Sequence, residues 1–209
     1  MGMWATEQIG RVESAVPQAP SAAITSCTSV NLEENSKIYT YTPNSGNGPC
    51  NNFGNSVTSN QVTLSCSTGN RFRNHWVKKV SVAGLNKLNV KANLTIDDHG
   101  FFTDSPSGVG VKYDDYSSLT VLSKDPTPTF DSECNVICSD ADWPKCGIAA
   151  ADSSILGKCG VAKWTTSKAC DFDVNVSGLD YVYMVFHTSN PWPARITGGM
   201  SQMEVYPSN

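Results

Sequence analysis

The chain has 209 residues, 39% hydrophobic and 16% charged, with a formal net charge of −4. That length permits one ample domain or two small ones, and the apolar fraction is enough for a real core. Without a basic stripe, nucleic acid and anionic membrane surfaces are poor candidates as partners, and the longest apolar run, Tyr181 to Phe186, is too short to cross a bilayer.

In chain order, residues 1–25 stand apart from the rest. Trp4, Ile9, Val12 and Val16 have loose helical spacing until Pro17 and Pro20 stop any helix, so a short N-terminal helix or tail is expected. Met1-Gly2-Met3 reads as an artificial start from which a signal peptide or membrane-anchoring helix has been removed, the one route by which a membrane enters this reading.

From residue 26 to 209 the period becomes two. Lys37–Thr42, Val62–Ser67, Trp76–Ala83, Lys87–Asp97, Ser118–Ser123, Cys170–Val176, Tyr181–His187 and Ser201–Tyr206 read as strands. The clearest is Lys87–Asp97, where Leu88, Val90, Ala92, Leu94 and Ile96 alternate with polar residues, the pattern of a strand with one wet face. Tyr181–His187 is apolar except at its end, as in a central strand covered on both faces. About eight short strands with Gly, Asn, Ser and Pro turns predict an all-β protein, an antiparallel β-sandwich of jelly-roll type. The polar face of Lys91, Asn93 and Thr95 reads either as solvated surface or as a shallow groove.

Eight cysteines, Cys27, Cys50, Cys66, Cys134, Cys138, Cys146, Cys159 and Cys170, indicate a disulfide framework and an oxidising, extracellular or cell-surface location. Cys66 and Cys170 fall on the apolar faces of their strands, and Cys50–Cys66 is a plausible local bridge. Cys134, Cys138, Cys146 and Cys159 are expected to staple a cysteine-rich excursion over residues 125–168, too irregular to hold itself by strand pairing. Zinc is the rival for this cluster, but only Cys134-x₃-Cys138 has ligand spacing.

Candidate chemistry is sparse. Asp97, Asp98, Asp114, Asp115 and Glu204 could supply oxygens to a structural calcium, which takes roughly six to eight of them; the alternative is polar strand ends running into turns. Asp98 and His99 are the first suspects for an acid–base pair in a small polysaccharide-active enzyme, the least favoured reading. Trp143, Trp164 and Trp192 lie in loops held by prolines or disulfides and offer flat platforms for a pyranose ring, with His187, Asn190 and Arg195 beside Trp192 to hydrogen-bond hydroxyls. The competing reading makes these tryptophans satellite core. Asn93-Leu-Thr95 and Asn175-Val-Ser177 match the glycosylation acceptor pattern.

The stretch Lys168–Tyr206, with its Ser-Gly-Leu-Asp turn, its Asn190-Pro191-Trp192 loop and closing Met203-Glu204-Val205-Tyr206, resembles the C-terminal half of galactose-binding-like jelly-roll domains, found in carbohydrate-binding modules. Trp76–Asp97 looks like a hairpin of their central strands. The resemblance implies a non-enzymatic domain that binds a glycan or cell-surface partner, with Glu204 and Asp97 as ion candidates and Trp192 as a sugar platform. The N-terminal segment followed by a Ser/Thr/Asn-rich sandwich is also similar to exported archaeal pilin-like proteins. That resemblance implies an adhesive or structural subunit that self-associates.

Overall fold

The computed structural model describes residues 28–41, 50, 52–66, 72–98, 116–126, 153–162, 167–190 and 196–208. They form eleven strands: β1 (Thr28–Ser29), β2 (Ser36–Tyr41), β3 (Ser56–Val57), β4 (Gln61–Ser65), β5 (Phe72–Ser81), β6 (Lys87–Asp98), β7 (Tyr116–Leu122), β8 (Ile155–Ala162), β9 (Ser167–Asn175), β10 (Tyr181–Asn190) and β11 (Ile196–Ser208). The first sheet has the order β3-β4-β11-β6-β9, with β1 also paired to β11, and the second has the order β2-β5-β10-β7-β8. Every pairing among these strands is antiparallel.

From β4 onward the chain changes sheet at each step except between β7 and β8. The resulting orders, β4-β11-β6-β9 facing β5-β10-β7-β8, are those of a jelly roll, so the expected fold class holds. One expectation changes: Trp76–Asp97 is not a hairpin, because β5 and β6 belong to different sheets. Each has an apolar side to bury, and facing the same core from opposite layers buries both at once.

The alternation of β6 is read out as expected. Leu88, Val90, Ala92, Leu94 and Ile96 are all buried in the core with Trp76, Phe186, Met184 and Val205. The Trp76 indole N–H, which would otherwise be an unmet donor in that core, donates to the Leu32 carbonyl at 3.2 Å. β10 lies between β5 and β7 and is buried along most of both faces, as its apolar run predicted.

Two short arches carry the chain between sheets and share a pattern, Val82-Ala-Gly84-Leu85-Asn86 and Val176-Ser-Gly178-Leu179-Asp180. Leu85 N–H donates to Val82 O at 3.0 Å, and Leu179 N–H to Val176 O at 3.0 Å. The arches also hold each other: Val82 N–H reaches Asp180 O and Val176 N–H reaches Asn86 O, both at 2.9 Å. Gly84 and Gly178 have φ of +80° and +77°, the left-handed region, and an added Cβ would meet nothing within 4 Å. Backbone conformation, rather than space, selects glycine at both positions.

Two disulfides join described cysteines. Cys50–Cys66 forms as the spacing suggested and packs with Phe72 and Phe53 in a small satellite cluster. Cys159–Cys170 ties β8 to β9, the edge strands of opposite sheets, so it closes one side of the sandwich. The eleven-residue separation is worth about 3 kcal/mol in the chain-entropy picture.

The excursion therefore needs correcting in part. Its segment Ile155–Ala162 is a full strand paired along β7, although Gly157 and Gly160 lower its β propensity and hid it in the sequence. Cys27, Cys134, Cys138 and Cys146, the segment 1–25, and most of 125–168 lie outside the described residues.

Candidate functional site

The outward face of the first sheet presents polar side chains in a grid fixed by strand register. Across β11, β6 and β9, Glu204, Lys91 and Asp171 form one row, and Tyr206, Asn89 and Asp173 the next. Cross-strand neighbours stand about 5 Å apart, close enough for direct contact. Lys91 Nζ is 3.2 Å from Asp171 Oδ2. Asn89 Nδ2 donates to both Asp171 Oδ1 at 2.9 Å and Asp173 Oδ1 at 2.8 Å, a fork that holds two carboxylates side by side.

Asn89 and Lys91 together hold the Asp171 carboxyl below its usual range, with the hydrogen bond from Asn89 the larger cause. Asp171 is therefore an ionised acceptor at neutral pH. Lys91 Nζ also lies 5.3 Å from the centroid of the Tyr206 ring, whose hydroxyl donates to Glu204.

A bulge shapes one end of this grid. The register of β11 on β6 shifts by one residue between Ser201 and Glu204, and Gln202 takes φ of +52°. A β-bulge places an extra residue on one strand and re-aims its side chain. Here it brings Gln202 Oε1 within 2.6 Å of Asn93 Nδ2. Together with the Ser59–Asn60 turn, the bulge borders a groove of about 580 Å³ over β6, β9 and β11. The sequence had offered this face as surface or shallow groove; Lys91, Asn93, Asp171, Gln202 and Glu204 line a groove there, while Asn89, Asp173 and Tyr206 stand in the adjacent row of the same face, and Asn89, Asp171, Asp173, Gln202 and Tyr206 were not singled out. Alternation marked Asn89 as outward-facing, but only the register shows what stands beside it.

Among the described residues, those nominated from sequence do not meet. His187 and Asn190 were expected to serve one ligand, but odd and even positions of one strand project to opposite faces. His187 points outward from the second sheet and is buried, its Nδ1 2.6 Å from His75 Nε2, with the rings edge to face. Asn190 lies on the core-facing parity of β10 and is also buried.

Burial and, secondarily, Arg73 push the His75 pKa down to about 3; burial, His75 and Arg73 push His187 well below its ordinary value. Both imidazoles are neutral at physiological pH. Glu204 stands opposite Lys91, while Asp97 is six positions farther along β6, roughly 20 Å, too far to share one ion. Asp98 ends β6, and its side chain is not among those described. Asp114, Asp115, His99, Trp143, Trp164, Trp192 and Arg195 lie outside the described residues. Among the described residues, no group of three or more His, Cys, Asp or Glu is placed to hold a metal ion.

No protein-family model matches the chain, and no curated protein matches it. Among solved structures it is similar to the carbohydrate-binding module TmCBM61 in complex with β-1,4-galactotriose, at 8% identity over 89% of this chain and 91% of that one, with a TM-score of 0.41. It is also similar to the N-terminal cellulose-binding domain from Cellulomonas fimi β-1,4-glucanase C, at 7% identity, 90% and 99% coverage and a TM-score of 0.42. A third is the family 11 carbohydrate-binding module from Clostridium thermocellum in complex with a mixed-linked tetrasaccharide, at 8% identity, 90% and 98% coverage and a TM-score of 0.40. The jelly-roll assignment rests on this chain's own strand order.

Proposed function

We propose that this domain is a non-enzymatic glycan-binding module and that the groove over β6, β9 and β11 is its binding face. The observation that carries the reading is the grid itself: ionised and amide acceptors and donors fixed by one another beside an aromatic ring. A sugar presents hydroxyls that both donate and accept, together with an apolar C–H face. Asp171 and Asp173 accept from hydroxyls, the Gln202 amide donates, and Tyr206 offers a ring edge or face to the C–H side.

Rigidity favours the same use. The side chains stand on central and edge strands of a sheet and are held by mutual hydrogen bonds, so little ordering is lost on binding. A shallow, open, polar face of this kind binds weakly, with an expected Kd of about 10 µM to 1 mM.

The test is calorimetric titration with soluble uncharged glycans, among them β-1,4-galactan, cello-oligosaccharides and mixed-linkage β-glucan. Tyr206→Ala and Asp173→Asn should each weaken binding at least about tenfold, with melting temperatures close to wild type. Binding untouched by both substitutions would place the ligand elsewhere and overturn the site; no binding to any glycan would overturn the function.

A further inference from the structure

Lys91 occupies a singular position in the groove. It stands directly between two carboxylate-bearing positions, Glu204 on β11 and Asp171 on β9, and pairs with Asp171. From there its ammonium leans over the Tyr206 ring. A pyranose stacked on an aromatic face sits in van der Waals contact with it, so the volume that a sugar needs is the volume that the Lys91 head fills.

Resting on the glycan reading, we infer that Lys91 is the affinity- and selectivity-setting residue of the groove, a latch held over Tyr206 by Asp171 that an uncharged glycan must displace.

The latch is light enough to open. Lys91 and Asp171 side chains are 45% and 59% exposed, so water screens their pairing and the ion pair is weak. The cation over the half-buried Tyr206 ring adds a contact of similar size. Opening is compatible with binding, because an uncharged sugar hydroxyl replaces the ammonium as donor to Asp171 while its ring replaces the ammonium over Tyr206. An acidic glycan gains nothing equivalent. With Lys91 displaced, its carboxylates face Asp171, Asp173 and Glu204 without a cation between them. The chemical class selected is therefore an uncharged glycan.

Two substitutions pull the latch in opposite directions. Lys91→Ala removes the cover and should tighten binding of an uncharged glycan about three- to tenfold. Lys91→Arg keeps the charge, stacks more firmly on the ring and pairs with Asp171 through two N–H groups, so it should weaken binding. Raising NaCl from about 0.02 to 0.5 M should tighten wild-type binding roughly two- to fivefold and leave Lys91→Ala unchanged.

The experiment is titration of wild type, Lys91→Ala and Lys91→Arg with the best-binding neutral glycan from the panel above and with polygalacturonate, each at both salt concentrations. Melting curves check that the variants are folded. Tightening by Lys91→Ala, loosening by Lys91→Arg and no binding of polygalacturonate to wild type support the latch. Neutral-glycan binding that falls or stays level in Lys91→Ala overturns it while leaving the glycan function standing, as does equal binding of polygalacturonate. If no glycan binds any of the three folded proteins, the glycan reading itself fails and the latch falls with it.

Discussion

The two sheets turn polar faces outward, and the two faces have opposite fates. On the first sheet, Lys91, Asn93 and Asn89 are half-buried and Asp171 and Asp173 are exposed. On the second, Arg73, His75, Ser118, Thr120, His187 and Ser189 are at most 1% exposed. The wet face carries weak, screened pairs that a ligand can exchange for its own. The dry face carries polar groups whose water has gone, so each contact there matters to stability. Arg73 Nε donates to Ser189 Oγ at 3.3 Å, and the His75–His187 contact lies beside it. Ser118 Oγ and Thr120 Oγ1 are buried without a hydrogen bond, at a cost of about 1–3 kcal/mol each. Polarity of sequence does not distinguish a binding surface from a buried layer; access to water does.

The comparison can be broken most sharply by truncating one cation from each face. Arg73→Ala should destabilise by about 3–5 kcal/mol, because it empties the volume of a large, fully buried side chain and leaves Ser189 Oγ without its donor. Lys91→Ala should cost less than about 1 kcal/mol. Urea denaturation measures both, and comparable losses would mean that the faces do not differ in kind.

Acid is the next largest probe. The folded-state pKa of His75 is depressed to about 3, so the folded protein holds this ring neutral while the unfolded chain binds a proton below its ordinary value near 6.5. Its contribution is complete above pH 6.5 and is lost as pH falls toward 3, at about 1.4 kcal/mol per pH unit. His187 shifts in the same direction and adds to the slope. Urea midpoints should therefore drop between about pH 7 and pH 4.5, and drop less in His75→Gln. An unchanged slope in that variant would remove the dry face from the account of acid sensitivity.

The smallest effect concerns the arches, which serve both sheets equally. Gly84→Ala and Gly178→Ala should each cost about 1 kcal/mol through strain at positive φ. The costs should match because the hydrogen-bonding roles do. A large difference between the two midpoint shifts would mean that one arch bears on one sheet more than on the other.

Much of the fold was legible locally. Strict alternation placed β6 and its core residues, and the unbroken apolar run of Tyr181–Phe186 marked β10 as central. The period-two pattern depends only on adjacent residues, and so needs no knowledge of neighbours. β8 was missed because two glycines dilute the same signal. The candidate site was legible only as a polar face. Tyr206, Asn89 and Asp171 come from three strands spread over much of the chain, and nothing in their local sequence marks them as neighbours. His187 and Asn190 show the converse, since an odd separation of three positions along one strand puts them on opposite sides.

By itself, the sequence determined the class of the protein: an all-β chain, alternating strands enough for a jelly roll, and cysteines of which Cys50, Cys66, Cys159 and Cys170 form two bridges among the described residues. Those properties follow from side-chain period and composition, which are local. The tertiary structure alone decided which strands are neighbours, in what register, and which of two polar faces stays wet. Register brings Lys91 between Glu204 and Asp171, and the burial of His75 and His187 turns two ordinary histidines into neutral, acid-sensitive groups. Pairing across sheets is a long-range choice governed by the burial of whole faces, and no stretch of chain carries that information alone.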